Sequence, residues 1–272
     1  MATRITDWIK QHPVVTFYIL AFAISWSGYF PQAAYTHGLF PFQSILFFVI
    51  GGIGPTIAAV IVTFVLHGKN GARELFAPLT QWRVGIAWYA MALFGNAVIW
   101  FAAIGLPGGV SLDMGKIGPW FMLFPIFLIN MLMNVWEEIG WRGFALPRLQ
   151  SCYTALVASL IVGVLWGLWH LPLLLMKDYP MSNYPFIPFF IGITASSVLY
   201  TWIYNNTKGS LLLATVFHAA GNTTGYFLES GISSIRSFIV FEAIILSFAA
   251  IIIVLVLGQA HLSRSCKRVV KI

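Results

Sequence analysis

The sequence predicts an all-α integral membrane protein with eight transmembrane helices and both termini in the cytoplasm. Three observations support this prediction. Of the 272 residues, 59% are hydrophobic and only 8% are charged, whereas a soluble domain carries roughly 25% charged residues. Long apolar runs recur along the whole chain. The basic residues, which give a net charge of +7, cluster on one side of these runs, as they do in membrane proteins.

A spanning helix satisfies its own backbone hydrogen bonds and needs about 20 mostly apolar residues to cross the hydrocarbon core. Eight stretches meet this requirement. In chain order they are Pro13–Phe30, Ser44–Leu66, Val84–Leu106, Gly118–Trp136, Tyr153–Met176, Phe186–Tyr204, Leu211–Leu228 and Ser237–Leu257. No internal repeat or Gly/Ser-rich linker divides the chain, so we expect residues 1–272 to form a single polytopic domain.

The distribution of Lys and Arg predicts the orientation. Twelve of the 15 fall on the side of the two termini, among them Arg142 and Arg148, which this assignment places in a cytoplasmic loop. The other three are Lys116, Lys177 and Arg236. Removing or adding one internal span would scramble this alternation. We therefore expect a multi-pass protein of the cell membrane.

The basic excess and the pI near 9.5 could also indicate a nucleic-acid-binding protein, but the apolar composition excludes a soluble one. The C-terminal tail from Ser263 to Ile272 carries four basic residues. We expect it to contact anionic lipid headgroups, which makes the lipid bilayer, and not a nucleic acid, the partner.

Ionisable side chains inside membrane spans are costly and therefore indicate function. Glu137 and Glu138 are adjacent at the end of the fourth apolar run, while His170 and His218 lie inside the fifth and seventh. Together these four residues form most of the buried ionisable content that the sequence predicts.

Polar neighbours of these residues follow helical spacing. Asn130 and Asn134 precede the two glutamates on the same helix face, and we interpret both as groups that bond between helices. Arg142 follows Glu138 by four residues, which favours an ion pair within the helix. Asn222 follows His218 by four, and Trp166 precedes His170 by four.

This combination suits hydrolysis of an amide bond. A carboxylate among apolar helices can take a proton from water at neutral pH, and Glu137 is the candidate base because Arg142 would neutralise Glu138. Histidine can polarise a carbonyl, donate to a leaving amine or bind a metal. The Asn222 amide can donate a hydrogen bond to a tetrahedral oxyanion.

Three motifs resemble those of a known family. Residues 137–142, Glu-Glu-Ile-Gly-Trp-Arg, match the EExxxR signature of the CAAX protease and bacteriocin-processing family of intramembrane endopeptidases, which includes the type II CAAX prenyl endopeptidases. Residues 166–170 look like the second motif, with Trp166 where Phe is usual, and residues 218–222 look like the third, His-x-x-x-Asn.

The resemblance implies a membrane protease with a polar cavity that opens toward the cytoplasm. By this analogy Glu137 would activate water, and His170, His218 and Asn222 would position water and stabilise the oxyanion. Glu138 and Arg142 would support the site, as would Trp166, whose substitution for Phe could alter the shape of the pocket. The expected substrate is a membrane-associated peptide or protein, either a prenylated C-terminal peptide or a leader peptide.

Three questions stay open at this stage. Glu137, His170 and His218 could instead bind one divalent metal such as zinc, so the expected cofactor is either none or that metal. The chain could also be an ion-coupled transporter, or a non-catalytic immunity or scaffold protein. Finally, a rise of 1.5 Å per residue puts Glu137 and His218 at depths of about 15–16 Å but His170 at about 25 Å. A shared site then requires a tilted or later-starting fifth helix.

Overall fold

The computed structural model describes residues 2–106 and 110–263, and these residues form α-helices joined by short turns. The helices are α1 (Ala2–Gln11), α2 (Pro13–Thr36), α3 (Ile45–Phe76), α4 (Ile86–Ile104), α5 (Leu123–Glu138), α6 (Leu146–Cys152), α7 (Ala155–Trp169), α8 (Leu171–Leu174), α9 (Phe186–Asn206), α10 (Leu211–Leu228) and α11 (Ile235–Leu257). Each predicted span overlaps a helix, which confirms the all-α membrane fold. The fifth span, Tyr153–Met176, is interrupted, because α7 ends at Trp169 and His170 lies at the break before α8 and not inside a span. Most of the basic tail lies outside the described residues.

Six helical segments among the described residues are long and apolar enough to cross a membrane. They are Pro13–Thr36, Ile45–Thr80, Ile86–Ile104, Trp120–Cys152, Phe186–Asn206 and Ile235–Leu257. The two other predicted spans are α7, with only 15 residues, and α10, which contains His218, Asn222 and three threonines. The protein is thus a multi-pass membrane protein, and the count of eight stays a prediction. The two helices that fall short carry the second and third motifs.

The first motif lies in an unusual stretch of helix. The predicted fourth span ends at Trp136, but α5 continues to Glu138 and then runs as a π-helix from Ile139 to Ala145. Placing Arg142 in a cytoplasmic loop was therefore wrong, because this residue lies in the π-helix and is fully buried. A single π turn inserted into a helix is frequent at functional sites.

Close packing between helices fixes the position of this π-helix. Gly140 faces α3 so tightly that a Cβ atom added to it would lie 2.5 Å from Pro55 Cβ. Thr56, the next residue of α3, donates its hydroxyl to the Trp136 carbonyl. Small residues permit this kind of backbone approach in membranes, and here they hold the glutamate motif against α3.

Candidate active site

Glu137 is the half-buried carboxylate of the site. It lies in the last turn of α5, and its Oε2 accepts a hydrogen bond of 2.8 Å from the indole nitrogen of Trp166. A carboxylate has lone pairs for several donors. One indole bond therefore orients Glu137 and leaves it capacity to bind water.

Glu138, its neighbour, lies in a different environment. The side chains of Glu138 and Arg142 are both 0% exposed. Glu138 Oε1 accepts from Arg142 at 2.9 Å and from His218 Nδ1 at 2.8 Å. The predicted ion pair therefore exists, and it holds a histidine of another helix as well. Of the two adjacent acids, only Glu137 is not neutralised by a contacting base.

Aromatic rings enclose the buried Arg142. Its guanidinium carbon lies 4.3 Å from the centroid of Trp166 and 4.0 Å from that of Tyr200. Both distances are well within the range of cation–π attraction. Tyr200 also packs on His218, with ring centroids 5.7 Å apart. The two rings thus cover the cation and restrict the imidazole beside it.

The two imidazoles are held in the same way. His218 Nδ1 faces a carboxylate, and His170 Nδ1 faces the Trp166 carbonyl at 2.8 Å. Because both partners are acceptors, each Nδ1 carries the proton. In the neutral ring, Nε2 is then the acceptor. Both histidines can therefore accept a hydrogen bond from water through Nε2.

Trp166 brings the three motif helices together. Its ring centroid lies 5.7 Å from that of His170 and 5.4 Å from that of His218, and its nitrogen reaches Glu137. α7 begins at Ala155, only two residues later than predicted, so a late start does not explain the contact. The indole N–H that reaches Glu137 is a donor that the usual Phe of the motif lacks.

Asn222 lies on α10 and is hydrogen-bonded to a residue of α5. Its Nδ2 donates to Asn134 Oδ1 at 3.1 Å. Asn222 is exposed, whereas Asn134 is only 3% exposed. The amide that was predicted to meet the oxyanion is thus tied to a buried amide one turn before the glutamates.

A tyrosine of the loop after α8 lies near the same acid. Burial raises the pKa of Tyr179, and the charges of Glu137 and Glu229 raise it further. Its phenol therefore stays protonated at neutral pH.

Glu137, His170 and His218, the three ligands of the zinc arrangement that the sequence left open, are not clustered in the structure. Among the described residues, no group of three or more His, Cys, Asp or Glu side chains is placed to hold a metal ion. His218 directs Nδ1 to Glu138, while Glu137 bonds to an indole. Only Nδ1 of each histidine is engaged, so the choice between no cofactor and one divalent metal stays a prediction.

Sequence reasoning did not find Tyr200, and it treated Asn134 only as an interhelical group. Tyr200 lies on α9, which contributes no motif, and its spacing along that helix gives no signal. The Asn134 signal was present, since the residue shares a face with the glutamates, but its partner Asn222 could not be deduced from one helix.

Comparisons with known proteins relate the segment that contains these side chains to a known family. Residues 118–224 match the family model described as type II CAAX prenyl endopeptidase Rce1-like. The family resemblance is confirmed. This Rce1-like segment contains every predicted site residue, from Glu137 to Asn222.

A curated relative matches over a similar length. CAAX prenyl protease 2 of Methanococcus maripaludis is 34% identical over 100 residues, which are 35% of this chain and 37% of the relative. The aligned part therefore spans little more than a third of either protein.

Proposed function

We propose that the protein is an intramembrane endopeptidase of the cell membrane that hydrolyses a peptide bond with water activated by Glu137. The observation that carries the proposal is the meeting of the three motifs around Trp166, which contacts Glu137, His170 and His218. A site built from α5, α7 and α10 only for packing would not need an unneutralised carboxylate beside two imidazoles.

In the proposed reaction, Glu137 takes a proton from water while the water oxygen bonds to the peptide carbonyl carbon. The second O–H of this water donates a hydrogen bond to Nε2 of His170 or of His218. The carbonyl oxygen becomes an oxyanion that receives a hydrogen bond from the Asn222 amide. The carbon–nitrogen bond then breaks, and the proton on Glu137 passes to the leaving amine.

Glu138 and Arg142 have supporting roles in this scheme. Glu138 fixes the tautomer and orientation of His218, and Arg142 balances its charge. The two adjacent glutamates therefore have different proposed roles: Glu138 orients His218, and Glu137 takes and delivers the proton.

The substrate is proposed to be a membrane-associated peptide or protein. The names of the matching family and relative refer to prenylated CAAX sequences, so a prenylated C-terminal peptide is the first substrate to test. A leader peptide is the second.

The test uses the full-length protein purified in detergent and reconstituted in lipid vesicles. Mass spectrometry measures cleavage of a prenylated CAAX peptide and of a leader peptide. We expect Glu137→Ala to lower kcat by about 10²- to 10⁴-fold, the range for general base catalysis. We expect His218→Ala to lower kcat to a similar extent.

Matched controls are the exposed residues Glu74 and His67. Glu74→Ala and His67→Ala should cleave as the wild type does. Full activity of folded Glu137→Ala would remove the catalytic assignment. A wild type that cleaves neither peptide, nor any peptide of its native membrane, would contradict the protease proposal. Ion-coupled uptake by the vesicles would then favour a transporter.

A further inference from the structure

Hydrogen-bonded side chains line the contact between α5 and α10 at three successive levels. Asn130 donates to Thr223 at 3.0 Å, Asn222 donates to Asn134 at 3.1 Å, and His218 meets Glu138 at 2.8 Å. The positions on α5 are spaced by four residues, so these pairs lie one turn apart on one face. Along α5, the three pairs extend from Glu138 of the first motif to Asn130, about two turns earlier.

The middle pair joins two carboxamides, whereas the outer pair joins a carboxamide to a hydroxyl. A carboxamide nitrogen has two N–H donors. Asn222 uses one of them on Asn134 Oδ1, which leaves the second for another acceptor. Asn130, in contrast, bonds to Thr223, which is not a motif residue.

Burial separates the roles of the two amides. Asn134 is 3% exposed and its Nδ2 is a buried atom with no hydrogen-bond partner among the described residues. Asn222 is exposed and can reach a substrate. The Asn134 oxygen restricts rotation of the Asn222 amide, because breaking their hydrogen bond would leave this buried oxygen unsatisfied.

We propose that Asn134 is a positioning residue that orients the Asn222 carboxamide, so that the free N–H of Asn222 points at the oxyanion. This inference rests on the proposed endopeptidase function, in which Asn222 stabilises that charge. Asn134 itself touches neither substrate nor water in this role. Its effect passes through Asn222 alone.

The test compares two leucine variants on the same helix pair. Asn134→Leu and Asn130→Leu each remove one bond between α5 and α10 and preserve side-chain size. Misplacing a catalytic group by about 1 Å costs roughly a hundredfold in rate, so we expect Asn134→Leu to lower kcat about a hundredfold with KM unchanged. Asn130→Leu should keep kcat within about twofold of the wild type, since its partner has no catalytic role.

A double-mutant cycle distinguishes positioning from general weakening of the interface. If Asn134 acts through Asn222, then Asn134→Leu combined with Asn222→Ala will be no slower than Asn222→Ala alone. Independent structural damage would multiply the two losses. Thermal unfolding in detergent checks that all variants are folded, and Asn134→Ala replaces Asn134→Leu should the leucine variant not fold.

Two results would overturn the inference while leaving the endopeptidase proposal intact. One is a kcat for the Asn134 variant equal to that of Asn130→Leu. The other is a double variant whose loss is the product of the single losses. Failure of the wild type to cleave any peptide would instead refute the proposed function, and this inference with it.

Discussion

The α5–α10 contact and the α7–α9 contact join helices within one membrane bundle by different means. α5 and α10 meet through three hydrogen-bonded pairs, the innermost being Glu138 with His218. α7 and α9 meet through glycines: a Cβ atom on Gly163 would lie 2.8 Å from Thr194 Cα, and one on Gly167 would lie 2.9 Å from Phe190.

This difference between the two contacts indicates that stability alone does not explain the polar groups between α5 and α10. Glycines let helices pack closely without burying a polar group. Hydrogen bonds between membrane helices contribute only about 0.6 kcal/mol each on average, so a concentration of them, with a buried ion pair, is a poor way to hold two helices. Packing explains the α7–α9 contact, and the polar α5–α10 contact is consistent with the proposed catalytic role.

The largest expected effect concerns the ion pair of the polar contact. Arg142→Met leaves the Glu138 carboxylate buried with no cation beside it. Removing one partner of a buried ion pair costs about 3–5 kcal/mol, and we expect the free energy of unfolding, measured in detergent, to fall by that amount. Arg148→Met is the control, because Arg148 contacts the Phe144 carbonyl and ring and forms no salt bridge with an acid among the described residues. Equal losses in the two variants would contradict the prediction.

The second-largest expected effect concerns Trp166, the α7 residue that donates to Glu137 on α5. Trp166→Phe preserves an aromatic ring on α7 but removes the donor to Glu137, a hydrogen bond to a charged group worth about 1.5–3 kcal/mol. We expect stability to fall within that range and kcat to fall with it. Trp169→Phe is the matched control, since the Trp169 indole nitrogen is buried with no partner among the described residues. If both variants lose the same stability, ring volume and not the hydrogen bond is responsible.

A smaller effect is expected in the apolar contact. Gly163→Ala forces α7 and α9 apart, and overpacking of this kind costs about 1–3 kcal/mol. Gly52→Ala is the comparison, because the nearest atom to its added Cβ would be Tyr29 Oη at 3.8 Å. The Gly52 variant should be as stable as the wild type or more so, since alanine favours the helix. Unfolding of both variants in detergent measures the difference. An unaffected Gly163→Ala would show that the contact is looser than the structure indicates.

The smallest effect lies at the outer end of the polar contact. Thr223→Val removes the acceptor of Asn130 and preserves the shape of the side chain. Stability should fall by about 0.6 kcal/mol, the average for such bonds in membranes, and peptide cleavage should be unchanged. A large loss of cleavage would extend the catalytic machinery to the outer pair.

The sequence predicted the all-α fold and every motif residue, because apolar length and helical spacing are properties of single segments. It was wrong about Arg142, since a basic residue after an apolar run is usually in a loop, and here the π-helix returns it to the interior. Orientation, the number of spans and the catalytic roles stay predictions.

Composition by itself determined that this chain is a membrane protein, and three short motifs predicted which helices carry the candidate site. Only the tertiary structure decided that Glu138 binds His218 while Glu137 binds Trp166, and that Asn134 holds Asn222. The physical reason is that periodicity describes one helix at a time. Which side chains meet across helices depends on relative depth, rotation and side-chain reach, and spacing along a single helix does not specify them.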